Sequence, residues 1–435
     1  MAFSADTVGL DATWRALPSR GYAYALSGLI GTAPVLTMLL SWVSPGAQIS
    51  GWQVIVKAFA LPVIAVELGV IAVAVAGVGK WAPSGVPRLT LAAAWAFLLL
   101  ALSTAVFASA SPGMAFARTS LWIVHCAFAW SVFRLCEKSA LDAGRIVSAC
   151  LAGFLASCIL LILFVSDIGD SSAFGWINEL PGFDNIRRGA YFAAPIAGLC
   201  IGRFPSATGK GLAFAATVYT LAIAFIFWSG SRGAIPAIGV AFALSLALLP
   251  RLRSKKATLT LLAATAAGIF LAWLYSLRTG FAGFWRMFTT SVQDPSLPNS
   301  DLTSGRTDLW SSTWQTILQR PLFGYGEGQT AYVVPVGQEM VVFHPHNLLL
   351  QVLLAWGLTG TLLLIYLALP IARRALNNAR QGRSECIPPF VAMLVLLLYS
   401  AVDGTLFHVH AVSIFAACAG MIGFSDPASS VRAAR

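Results

Sequence analysis

Apolar residues along this chain fall in long runs rather than in stripes, and polar residues collect in the gaps between them. Twelve runs can be read, at approximately 22–43, 53–79, 88–109, 116–135, 145–166, 190–203, 211–228, 233–250, 256–276, 346–370, 387–402 and 405–424. About 20 apolar residues in helical form cross a hydrocarbon core ~30 Å thick. Backbone amides and carbonyls cannot be left bare in lipid, so each run predicts a helix. The expected fold class is all-α: a polytopic integral membrane protein with about 12 transmembrane helices. Residues 1–21 are polar and contain Asp6, Asp11, Arg15 and Arg20, so the first run reads as an uncleaved anchor. The chain then divides into helices 1–9 within 1–276, a large loop at 277–345, and helices 10–12 with a tail at 346–435. Inside the large loop, Trp310, Trp314, Ile317 and Leu318 stand at i, i+4, i+7 and i+8, an apolar stripe on a short helix. That helix either lies on the membrane boundary or packs on the bundle. Pro321 ends it, and Gly324-Tyr325-Gly326 turns the chain afterwards.

Composition agrees with the pattern. Hydrophobic residues make up 58% of the chain and charged residues 10%, where soluble domains carry about a quarter charged. Such a chain cannot cover its surface in water. The net charge of +11 would elsewhere suggest nucleic acid, but its distribution assigns it to topology. With the N-terminus inside, nineteen of the 28 Lys and Arg fall in inner segments and seven in outer ones, with Lys57 and Arg118 at run ends. Segments 167–189 and 277–345 are then extracytoplasmic, and 373–386 is cytoplasmic. Of the seven cysteines, Cys126, Cys150, Cys158, Cys200 and Cys418 lie in apolar runs, and Cys136 and Cys386 lie in inner loops. They read as reduced thiols, with no disulfide framework and no metal cluster.

All seven outer basic residues are arginine: Arg187, Arg188, Arg232, Arg278, Arg286, Arg306 and Arg320. Lysine would solvate the face equally well, whereas arginine offers a planar fork that grips phosphate or carboxylate. The alternative is that they pair with outer acids such as Asp170, Asp184, Asp301 and Asp308. Two are more pointed. Arg232 sits in Ser229-Gly230-Ser231-Arg232-Gly233, a tight turn that lets a ligand approach the backbone. Arg306 follows Ser304-Gly305 at the start of the short helix, where free amides favour an anion.

There are five histidines, and two share His344-Pro345-His346-Asn347 at the outer mouth of the tenth run. Pro345 suits the first turn of a helix. On an ideal helix, Gly357 lies about 20° and Gly360 about 40° from the direction of His346. Small residues on that stripe predict close helix packing beneath a fixed histidine, as a catalytic base requires. The alternative is an interfacial histidine above a packing seam. His125, His408 and His410 are read as structural.

His346-Asn347, nine residues, Gly357, two residues, Gly360 resembles the H-[NSQ]-x9-G-x-x-[GTY] pattern of the O-antigen ligase family. Ser304-Gly305-Arg306 with Trp310, the run Pro321 to Gly326, and Ser229-Gly230-Ser231-Arg232-Gly233 resemble its other motifs. The resemblance covers 229–360 in motifs and most of the chain in topology. It implies a GT-C-type, inverting, metal-independent glycosyltransferase of the bacterial inner membrane with a periplasmic active face and no cofactor. Its donor would be a glycan on undecaprenyl diphosphate and its acceptor lipid A–core oligosaccharide, with membrane lipids around it and no nucleic acid. His346 would be the base. Arg232 and Arg306 would act on the diphosphate, with Arg187, Arg188, Asn347 and Tyr325 binding substrate. O-antigen polymerases and protein O-oligosaccharyltransferases of the same superfamily are close alternatives. Metal-dependent relatives of the broad class place acids in the first outer loop, but Ser44 to Trp52 has none. Asp167 and Asp170 are the remaining candidates for a metal. A lipid-linked glycan flippase is the alternative of another class. It should place ionisable groups in mid-membrane, where Glu67 and His125 are the main cases.

Overall fold

The computed structural model describes residues 20–44, 48–77, 86–169, 174–176, 178–277, 282–288, 305–335 and 342–422. The readings made on Asp6, Asp11, Arg15, Asp170, Arg278, Asp301 and Ser304 lie outside them. The described helices are α1 (Arg20–Leu40), α2 (Gly51–Phe59), α3 (Leu61–Gly77), α4 (Arg88–Phe107), α5 (Pro112–Glu137) and α6 (Ala143–Ser166). They continue with α7 (Ala190–Arg203), α8 (Gly209–Trp228), α9 (Ala234–Leu248), α10 (Lys255–Leu274), α11 (Arg306–Gln319) and α12 (Thr330–Val333). The chain closes with α13 (Leu348–Arg380), α14 (Ile387–Ser400) and α15 (Val409–Ile422). Short 3₁₀ turns occupy Ile186–Gly189, Phe284–Met287 and Thr405–Phe407. No strand occurs among the described residues.

Among the described residues, seven helices are long and apolar enough to cross a membrane: α1, α4, α5, α6, α8, α10 and α13. The fold is therefore an all-α, multi-pass membrane bundle. α2 and α3 together form an eighth, bent by 55°. The bend falls at Ala60, whose φ of 46° is left-handed. Pro62 follows it and lacks the amide that a continuous helix would use.

Four of the helices that occupy apolar runs are shorter. α7, α14 and α15 have 14 residues each and α9 has 15, rises of about 21–23 Å against a ~30 Å core. Each has an end at the same place, on the loops 186–189, 229–233 and 401–408. These loops therefore meet at one end of the bundle, where Ser231 Oγ bonds the Arg187 carbonyl and the Tyr191 hydroxyl bonds Asp403. Ile186, Gly189, Ser229, Ser231, Asp403 and Thr405 are accordingly buried. α7 forms the centre of the bundle, buried from Ala190 through Gly202, with α8 and α14 packed on it.

α13 is not continuous. At Gly357 its backbone turns to φ 59° and ψ −164°. The segment 321–326 fills the break: the amides of Leu358 and Thr359 donate to the carbonyls of Pro321 and Leu322 at 2.8 and 3.1 Å. In return, the amides of Tyr325 and Gly326 donate to Leu354 and Ala355 at 2.9 and 2.8 Å. A Cβ on Gly324 would lie 2.6 Å from the Leu354 carbonyl oxygen, and one on Gly357 would strike the Leu322 carbonyl. This corrects the packing-stripe reading of Gly357, whereas Gly360 does lie in a close helix contact, a Cβ there falling 3.2 Å from Leu100 Cδ2 of α4. Gly357 breaks the helix so that the loop can bond into it.

Candidate functional site

Asn347 caps α13, its Oδ1 accepting from the Leu350 amide at 3.1 Å and its Nδ2 donating to Ala401 at 2.9 Å. The helix therefore starts after the histidine, and Pro345 lies outside the first turn. His346 itself has φ 52°. A left-handed β-substituted residue costs roughly 1–3 kcal/mol, and such strain clusters at functional sites. Because His346 precedes the helix, the angular projection onto Gly357 and Gly360 does not apply. Its loop is held from α11, where Trp310 Nε1 donates to the Pro345 carbonyl at 2.8 Å.

His346 Nδ1 meets Asp403 Oδ1 at 2.7 Å. The same oxygen accepts from the Tyr191 hydroxyl at 2.7 Å and the Gly404 amide at 2.8 Å. Arg306 Nη2 donates to Oδ2 at 2.9 Å, and its Nη1 donates to the Val402 carbonyl at 2.6 Å. Burial alone would raise the Asp403 carboxyl. The hydrogen bond from His346 and the charges of Arg306 and His346 outweigh it and hold the acid below the usual carboxylate range. An ionised carboxylate accepts only, so His346 Nδ1 carries the hydrogen, and the neutral ring then has its lone pair on Nε2. Nε2 has no partner among the described residues, and the His346 side chain is 30% exposed.

Beside this pair stand the arginines. Ser231 Oγ donates to the Arg187 carbonyl at 3.2 Å, joining the 3₁₀ turn before α7 to the turn after α8. Arg232 Nε donates to the Arg286 carbonyl at 3.0 Å, and Arg286 Nη1 donates to the Gly230 carbonyl. Burial first, and then the charges of Arg187 and Arg306, lower the Arg232 guanidinium from its ordinary value. Burial and the charges of Arg187, Arg232 and Arg306 push Arg286 down to about 9. The physical content is a concentrated, unmet positive potential. Arg188 differs: it pairs with Asp184, as the alternative for the outer arginines anticipated.

Two of the anticipated residues have side chains engaged in holding the fold around the site. The Tyr325 hydroxyl is committed to the Thr316 carbonyl at 3.2 Å and Gln319 Oε1 at 3.3 Å, seating α11 on the bundle. Asn347 works as a helix cap. The apolar stripe of α11 also splits, with Ile317 buried and Trp314 and Leu318 exposed. His344 is buried, its ring 4.2 Å from the His346 ring and its Nε2 3.3 Å from His408 Nε2. Burial, then the neighbouring His346, hold it well below the usual histidine range. Asp403 was missed, although a lone acid between two apolar runs is costly unless partnered. Among the described residues no three of His, Cys, Asp and Glu converge as metal ligands would.

A cluster of arginines beside a histidine oriented by a carboxylate can hold a polyanion and deprotonate a hydroxyl next to it. Residues 217–365 match the family model described as O-antigen ligase, so this part of the chain is an O-antigen ligase family domain. The match takes in Arg232, Arg286, Arg306, Tyr325, His346 and Asn347, while Arg187, Arg188 and Asp403 lie outside it. The matched segment, about a third of the chain, supports a place in the O-antigen ligase and polymerase superfamily, with the glycosyltransferase or ligase-type activity that the family implies. No curated protein matches the chain.

Proposed function

We propose that the protein is an O-antigen ligase of the bacterial inner membrane, a GT-C-type enzyme with twelve crossings and a periplasmic active face. It moves polysaccharide from undecaprenyl diphosphate to lipid A–core oligosaccharide. The observation that carries this reading is the sequence of contacts His346–Asp403–Arg306 set beside Arg187 and Arg232.

The chemistry follows from the groups. An acceptor hydroxyl gives its proton to His346 Nε2 as its oxygen forms the new bond to the anomeric carbon. The bond from that carbon to the diphosphate oxygen breaks, and its electron pair leaves with the lipid diphosphate. Asp403 steadies the imidazolium that forms, and Arg232 and Arg306 stabilise the leaving charge. Arg187 has no ion pair among the described residues and supports the same group, ahead of Arg188, whose charge is met by Asp184. A single displacement inverts the anomeric centre. The arginines do what a divalent metal does in other transferases, so turnover is expected in EDTA. The test is reconstitution with undecaprenyl-diphosphate glycan in three arms: lipid A–core, a second glycan, and an acceptor protein. Product in the first arm alone supports the ligase. Product only in the second or third reassigns the acceptor to that of a polymerase or a protein transferase, and transport without any product supports a flippase.

A further inference from the structure

Arg286 belongs to none of the motifs, yet it is the most buried of the clustered arginines, 8% exposed. It sits in the 3₁₀ turn Phe284–Met287, after α10. Its guanidinium donates to the Gly230 carbonyl, and its own carbonyl accepts from Arg232 Nε at 3.0 Å. The two arginines clasp each other across the turn 229–233. Gly230 has φ 69°, and a Cβ there would lie 3.1 Å from Arg286 Cδ, so the clasp is closely fitted.

The charges acting on Arg286 are those of Arg187, Arg232 and Arg306 against the single carboxylate of Asp403. Four guanidinium groups thus face one anion, an excess of three positive charges. A buried cation is costly among others unless an anion joins them. One terminal nitrogen of Arg232, Nη2, is buried without a partner. A diphosphate esterified at both ends carries about two negative charges, and about three once one ester is cleaved. The excess matches the leaving group rather than the intact donor.

We propose that Arg286 both positions Arg232 and supplies the charge that matches the leaving diphosphate. This rests on the transferase reading above. Interactions stronger in the transition state than in the ground state raise kcat rather than lower KM. Arg286→Gln should therefore lower kcat about 10²-fold, in the range of a lost oxyanion donor, with donor KM little changed. Arg286→Lys, which keeps the charge, should recover part of kcat. Inorganic diphosphate should inhibit wild type at least about tenfold better than inorganic phosphate, and Arg286→Gln should erase that preference. If wild type gives no joined product, the transferase reading fails. If wild type turns over but diphosphate and phosphate inhibit it equally, or Arg286→Gln keeps its kcat, this proposal is overturned and the transferase reading stands. If Arg286→Gln does not fold, Arg286→Lys carries the test, and a kcat equal to that of wild type there overturns the positioning role.

Discussion

Asp403→Asn keeps the shape of the side chain and removes one negative charge. In the structure Oδ1 accepts from His346 and Tyr191 at 2.7 Å and Gly404 at 2.8 Å, and Oδ2 accepts from Arg306 at 2.9 Å. A carboxylate can accept at both oxygens, whereas an amide accepts at one end and donates at the other. If the amide oxygen takes the Oδ1 position, its NH₂ opposes Arg306, donor against donor. If it turns around, the NH₂ opposes His346 Nδ1 and drives the imidazole to the tautomer with hydrogen on Nε2, which can no longer act as base. In either orientation the imidazolium formed during reaction loses its counter-charge. General-base catalysis contributes about 10²–10⁴-fold, so kcat should fall in that range, about 3–5 kcal/mol on the barrier. Donor KM should not rise, because removing an anion from an arginine cluster strengthens its positive potential. Steady-state transfer in nanodiscs, at equal folded protein, separates the two constants. A kcat within threefold of wild type, or a loss confined to donor KM, would refute the reasoning.

Arg306→Lys should not restore transfer, because one ammonium cannot reach both the Val402 carbonyl and Asp403 Oδ2; turnover within threefold of wild type would contradict the need for a fork. Gly357→Ala should cost more than about 2 kcal/mol, since its φ of 59° is left-handed and a Cβ strikes Leu322; an unchanged melting temperature in detergent would show that the loop does not bond into the helix there. His344 is held well below its ordinary value of 6.5, so the unfolded chain binds its proton more readily than the folded one. Stability is then full above about 6.5 and falls as the pH drops below it, and His344→Gln should lessen that loss; melting curves from pH 7 to 5 that superimpose for the two proteins would contradict this. His344 also packs on His346 and Gly404, so its replacement is no neutral reference for His346.

The bundle was legible because lipid leaves the backbone one solution. A helix, or the bent pair α2 and α3, occupies each of the twelve apolar runs. Arg232, Arg306 and His346 could be singled out as candidates because the segments expected outside carry arginine and no lysine, and because a histidine stands at a helix mouth. What sequence could not reveal depends on contacts far apart in the chain. Asp403 meets His346 across 57 positions from a loop of a few residues that has no periodicity to read. The glycine motif was seen, but its cause was not: a helical projection implies a packing stripe, whereas the backbone at Gly357 leaves the helix altogether. Tyr325 stood in the right motif, yet the motif serves the loop that enters α13, and the side chain turns away toward α11. Arg286 looked like its neighbours in sequence, and only its burial and its clasp on Arg232 set it apart.

The central claim is that His346 is the base for sugar transfer, aimed by Asp403 beside arginines that hold the donor. The most direct measurement compares wild type with His346→Ala in the same nanodiscs, reading joined product with lipid A–core and, separately, binding of undecaprenyl-diphosphate glycan. Product formation should fall by about 10²–10⁴-fold while donor binding stays within a few-fold of wild type. Near-normal product from His346→Ala at equal folded protein would contradict the assignment.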